Sequence, residues 1–154
     1  MPGIVGYSHV DLTVTDCERA ATWWREVLGF TLVHQARHGT FEVRSMVHPS
    51  GLVVTLLTHD ETTKNDAFDE RRVGLDHLAF RVADQEVLQR WATHLDAKGV
   101  VNTGVIDTGF GPTIVFRDPD NTQLELYVQA DMADVTWLSE GDTEEAQRAL
   151  QGEQ

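Results

Sequence analysis

An internal repeat is the strongest constraint on what this chain can fold into, because a duplicated unit fixes the architecture before any single element is considered. The stretch His9-Val10-Asp11-Leu12-Thr13-Val14-Thr15-Asp16 matches His77-Leu78-Ala79-Phe80-Arg81-Val82-Ala83-Asp84 in its histidine, its alternating apolar positions and its aspartate seven residues on. Both alternate with period two, as half-buried strands do. Asp16 and Asp84 then stand where the first free N–H groups of a helix need an acceptor, so helices are predicted from about Cys17 to Leu28 and from about Gln85 to Lys98. Trp24 with Leu28 gives the first helix an apolar face, Val87, Trp91 and Leu95 give the second one, and Gly29 and Gly99 end them. From Gly29 to Thr55 is 26 residues, and from Gly99 to Glu125 is also 26; between them a turn at Pro49 falls opposite a turn at Pro119. The fold class is therefore α+β: two βαβββ modules, about 7–58 and 75–128, whose sheets curve as a half-barrel pair around a central cavity. The polar segment 59–74 links them. Together they make one domain over 1–130, followed by an acidic tail over 131–154.

Charge narrows the range of partners. The chain carries 12 Lys and Arg against 25 Asp and Glu, a net of −13, so the basic footprint of a nucleic-acid or anionic-lipid binder is missing. Residues 131–154 hold seven acids against Arg148, about half of that excess. No apolar run approaches the roughly 18 residues that span a membrane. The one cysteine, Cys17, has no partner for an internal disulfide, and the N-terminus lacks the features of a secretory signal, which makes the cytoplasm the expected compartment. In the first turn of a helix Cys17 reads either as a thiol of lowered pKa or as a small residue filling the helix start.

Strand periodicity places the polar residues. In the first strand Val10, Leu12 and Val14 share the face a helix must cover, leaving His9, Asp11 and Thr13 on the other. Likewise His77, Ala79 and Arg81 oppose Leu78, Phe80 and Val82, and Glu125 and Tyr127 oppose Leu124, Leu126 and Val128. If the two sheets curl toward each other, His9, His77 and Glu125 converge on a shared interior. A single inward histidine reads equally as a core residue satisfied by hydrogen bonds. Two at matched repeat positions, with a glutamate on the closing strand, form the two-His-one-carboxylate set that holds a divalent metal and leaves coordination positions open. The matching fourth place is Thr55, a poor ligand. His59, four residues beyond, is either a base at the cavity mouth or a surface histidine; Tyr127 either donates to a substrate oxygen or packs. The run Asp69-Glu70-Arg71-Arg72 reads as a solvated loop, a lid or a source of an arginine for an anionic substrate. Trp23, off the apolar face of its helix, is expected at a subunit contact. His34, His38, His48 and His94 carry no functional argument.

These features resemble the vicinal oxygen chelate superfamily, which includes glyoxalase I, extradiol dioxygenases, fosfomycin resistance thiol transferases and bleomycin-binding proteins. The resemblance covers residues 7–128 and is most specific at LDHLAFRV and FRDPDNTQLELYV, with Asn121 standing where the family turn usually has Gly. It implies a divalent metal (Fe, Mn, Ni or Zn) held by His9, His77 and Glu125, and a small substrate chelated through two adjacent oxygens. A glyoxalase-like lyase or isomerase is the expected activity, an extradiol-type dioxygenase the alternative within enzymes, and a drug-sequestering resistance protein the alternative outside them. The family often places Glu or Gln at the position of Thr55, so the two-carboxylate proton shuttle of glyoxalase I is not expected here. Open sheet edges call for a cover, and with family members commonly dimeric a homodimer is expected.

Overall fold

The computed structural model describes residues 2–4, 6–62, 65–109 and 111–129; the acidic segment 131–154 lies outside them. Both helices form where their local signals stand. Helix α1 (Cys17–Leu28) begins with the Asp16 carboxylate accepting from the amides of Glu18 and Arg19 at 2.9 and 3.0 Å. It ends at Gly29, whose φ of 77° is left-handed and whose N–H bonds to the Arg25 carbonyl. Helix α2 (Gln85–Ala97) begins at Asp84, which accepts from the Val87 amide at 2.8 Å, and stops one residue short of the expected Lys98, which caps it.

The strands sort by module into two open sheets, with no closed barrel. In the first, β1 (Val10–Thr13), β2 (Thr31–His38), β3 (Phe41–Val47) and β4 (Val53–His59) run in the order β1-β4-β3-β2. In the second, β5 (Leu78–Arg81), β6 (Ile106–Asp107), β7 (Pro112–Arg117) and β8 (Gln123–Tyr127) repeat that order as β5-β8-β7-β6. Each module's first strand runs parallel to its last, and the remaining pairs are antiparallel. The copies differ at their outer edge. Strand β2 has eight residues and β6 only two, because Gly104, Gly109 and Gly111 all sit at positive φ around it and interrupt an extended run.

One core serves both modules. Trp24 is fully buried and meets Phe30 and Phe80 edge-on, at centroid distances of 5.2 and 6.2 Å, so helix α1 packs on its own sheet and on strand β5 of the other. The half-buried ring of Trp23 lies 6.4 Å from Phe116 of β7, at the margin of the same core. On α2 the fully covered residues are Leu88, Ala92 and Leu95, with Val87 and Trp91 half-buried beside them, one position round from the expected stripe.

The turn at Pro119 fastens the modules together. Asp120, 4% exposed, accepts hydrogen bonds at Oδ1 from the Thr15 amide, the Thr15 hydroxyl and Arg19, all at the start of α1. Asn121 adopts φ 69° and donates from Nδ2 to the Phe68 carbonyl at 2.8 Å, and Arg117 forks onto the Glu70 carboxylate at 2.8 and 3.1 Å. The 67–70 part of the linker is thus tied to the turn, while Arg71 stays exposed on Asp69. No described helix is long and apolar enough to cross a membrane.

Candidate metal centre

Register settles which side chains share a face. In the first sheet Asp11 of β1 stands directly across from Thr55 of β4; in the second, Ala79 of β5 stands across from Glu125 of β8. His9 and His77 each precede the first strand of their sheet, two residues before Asp11 and Ala79, and so lie on the same faces. The helix-facing residues alternate with them and are buried: Leu12, Leu56, Leu124 and Leu126 are at most 6% exposed.

His77 and Glu125 come together, with Nε2 3.8 Å from Oε2. Glu125 is mostly covered and His77 partly open. On its other side His77 Nδ1 lies 2.7 Å from the Asp76 carboxylate, an acceptor to which Nδ1 donates, and Nε2 is the nitrogen turned toward Glu125. His9 repeats the pattern in the first sheet. Its Nδ1 is 3.0 Å from the Ser8 hydroxyl, and its Nε2 is 3.7 Å from Asp11 Oδ1. Among the described residues no group of three His, Cys, Asp or Glu is placed to hold one ion, so the chain brings His77 and Glu125 together and leaves His9 apart from them.

The donor chemistry fits a divalent ion. Metal–nitrogen and metal–oxygen bonds of about 2.1 Å allow two donors on one ion to be at most about 4.2 Å apart. Both pairs fall inside that limit, and in each the imidazole is oriented by a neighbour on its far nitrogen. Asp76 and Ser8, which do this, escaped the sequence reasoning; each lies directly before a candidate histidine, which is the signal that would have found it.

The remaining candidates are spread along the strands. Tyr127 lies two residues from Glu125 on the same face, about 7 Å along β8. A Cβ at Gly111 would stand 2.7 Å from the Val128 carbonyl and 3.1 Å from the Tyr127 hydroxyl, so a glycine is required for that ring to lie where it does. His59 ends β4, four residues or about 13 Å beyond Thr55, its ring tilted against that of Phe41 at a centroid distance of 5.5 Å. His94 bonds the Val27 carbonyl of α1 across the two modules, and His48 bonds the nearby Ser50 hydroxyl. Cys17 is buried with Sγ 3.1 Å from the Thr58 hydroxyl, and burial pushes its thiol up, so of its two readings the filler of a helix start is the one the structure bears out.

Two duplicated βαβββ modules, each presenting a histidine–carboxylate pair on the face its helix does not cover, define a paired-module class of protein. The chain belongs to the Glyoxalase/Bleomycin resistance protein/Dioxygenase superfamily, whose family model matches residues 6–126. It is 28% identical over 131 residues to a putative ring-cleaving dioxygenase, MhqA, of Bacillus subtilis (strain 168), covering 79% of this chain but 39% of that one. The chain thus spans about two fifths of that relative's length. It is also 28% identical over 121 residues to the glutathione transferase FosA of Serratia marcescens, covering 79% of each. Among solved structures, a glyoxylase/bleomycin resistance protein/dioxygenase domain from Frankia sp. EAN1pec is 35% identical, with a TM-score of 0.78, covering 83% of this chain and all of that one. A point mutant of the fosfomycin resistance protein FosX from Listeria monocytogenes, solved with Mn(II) and 1S,2S-dihydroxypropylphosphonic acid, shares the fold at 23% identity and a TM-score of 0.62, covering 83% and 93%.

Proposed function

We propose that this protein is a metal-dependent enzyme of the glyoxalase type, a lyase or isomerase acting on a small substrate chelated through two adjacent oxygens. The observation that carries the reading is the His77–Glu125 pair, with Nε2 and Oε2 3.8 Å apart and the imidazole oriented by Asp76. A divalent ion held there, Fe, Mn, Ni or Zn, supplies Lewis acidity toward the paired oxygens of the substrate. The third ligand is His9 of the partner subunit in a homodimer, since within one chain His9 pairs with Asp11 instead. Tyr127 donates to a substrate oxygen at the rim, and His59 takes up a proton farther out on the first sheet. The expected setting is the cytoplasm, with no nucleic acid or membrane as partner.

A second reading, extradiol-type ring cleavage, is favoured by Thr55. With no carboxylate there, the residues at the matched positions of the repeat are two histidines and one carboxylate, and MhqA is named as a putative ring-cleaving dioxygenase. A drug-sequestering protein needs no ligand set, and the retained pair argues against it. Protein purified anaerobically is expected to hold one divalent ion per chain by elemental analysis, and His77→Ala to hold none after dialysis. Full occupancy in that variant overturns the site. Turnover of the hemithioacetal of methylglyoxal selects the first activity, and turnover of a catechol under oxygen the second.

A further inference from the structure

The first sheet carries a carboxylate in a place its repeat partner does not. By chain count Thr55 is the counterpart of Glu125, and a threonine there deprives the first module of its acid. Yet Thr55 is paired in register with Asp11 on the adjacent parallel strand, and in the second sheet the residue across from Glu125 is the side-chain-poor Ala79. Acid and small residue have exchanged strands. Cross-strand neighbours on one face hold their Cβ atoms about 5 Å apart, so a carboxylate moved from one to the other still reaches the same point in front of the sheet.

The geometry points to Asp11 as a further metal-binding residue, a second carboxylate that joins His9 on the ion and takes over the place vacated at Thr55. Three observations bear on it. The His9 Nε2 to Asp11 Oδ1 separation of 3.7 Å matches the 3.8 Å of His77 and Glu125, so the two sheets present half-sites of equal span. His9 is oriented from behind by Ser8, as His77 is by Asp76, so Asp11 is not needed to hold that ring. Asp11 is also half exposed on an open face, so its carboxylate is free to turn toward an ion. The consequence is a centre of two histidines and two carboxylates, one unit less positive than the ligand set without Asp11.

This assignment rests on the metal-centre reading above, and the two are tested separately by Mn(II) binding to the full chain, followed by the electron paramagnetic resonance of free Mn(II) and by the water relaxivity of the bound ion. Asp11→Ala and the isosteric Asp11→Asn are each expected to weaken Mn(II) binding about tenfold or more, and to raise the relaxivity as a water enters the freed position. Adding Thr55→Glu to Asp11→Ala is expected to restore the affinity and lower the relaxivity, because the two positions face each other across the β1–β4 ladder. Loss of binding in His77→Ala together with unchanged affinity and relaxivity in both Asp11 variants overturns the assignment and leaves the metal centre standing. Weakened binding that Thr55→Glu fails to rescue, with melting curves showing the double variant folded, also overturns it. A wild-type chain that binds no Mn(II) overturns both.

Discussion

Asp118 and Asp120, two residues apart in the turn around Pro119, are both buried, and they act on stability in different ways. Asp118 accepts at Oδ1 from the amides of Asp120 and Thr122, at 2.9 and 2.8 Å, while its Oδ2 has no partner among the described residues. Burial is the largest influence on it and pushes its carboxyl above the ordinary range, against the pull of those amides. Because the folded value lies above the unfolded one, near 3.9, the folded protein binds more protons between the two. Stability from this group is thus full below the unfolded value and is lost as pH rises through the folded one. Asp118→Asn keeps an acceptor for the two amides and cannot ionise. Its melting temperature relative to wild type is expected to rise as the pH goes from 4 to 7, and a difference that stays constant or falls disproves the account. Asp120 makes the opposite case, since Asp120→Ala strands the buried amide and hydroxyl of Thr15 and unpairs Arg19. With Arg19 half exposed the loss is about 2–3 kcal/mol, a drop of roughly 10 °C in Tm by thermal denaturation.

At the scale of elements, much of this fold is legible in local signals. Asp16 and Gly29 bracket α1 because a cap and a left-handed exit are properties of a few neighbouring residues, and the alternation around His9, His77 and Glu125 reports faces for the same reason. What alternation does not report is the partner strand. The importance of Asp11 depends on β1 lying beside β4 in a register that sets it against Thr55, 44 residues away. Nor does alternation report that the half-buried Trp23 lies beside Phe116 of the other module, a contact between residues far apart in the chain. Asp120 reads only as a turn residue, and its grip on Thr15 spans 105 residues. Asn121 combines a local role with a distant one. Its left-handed backbone is where glycine is cheapest, yet its amide holds the linker at Phe68. Asn121→Gly is therefore expected to leave Tm within about 3 °C, relief of the backbone offsetting the lost hydrogen bond. It is also expected to speed tryptic cleavage at Arg71 and Arg72; equal cleavage rates in the two proteins argue against the tether.

For the whole molecule the decisive fact is that one chain displays two histidine–carboxylate pairs on two different sheets, and among the described residues no group of three His, Cys, Asp or Glu is placed to hold a metal ion. Strand β2, the outer edge of the first sheet, is exposed along nearly its whole length, with Val33 60% open, which leaves the surface around that sheet available to another chain. On the proposed function, a two-fold dimer that sets the first sheet of one copy against the second sheet of the other would complete two equivalent centres at once, each with His9 from one subunit and His77 and Glu125 from the other. Mixing two defective proteins tests this arrangement. His9→Ala and His77→Ala chains are each expected to bind no Mn(II) stoichiometrically, since each dimer of one type lacks a histidine at both centres. After the two are unfolded and refolded together, random pairing makes half of the dimers mixed. Every mixed dimer has one centre with both histidines and one with neither, so bound Mn(II) is expected to recover to about a quarter of the wild-type level. A centre built within one chain recovers nothing on mixing, because every chain still lacks one of its own ligands. Native mass spectrometry showing mixed dimers with no regained metal would therefore reject the shared centre while leaving the dimer itself in place.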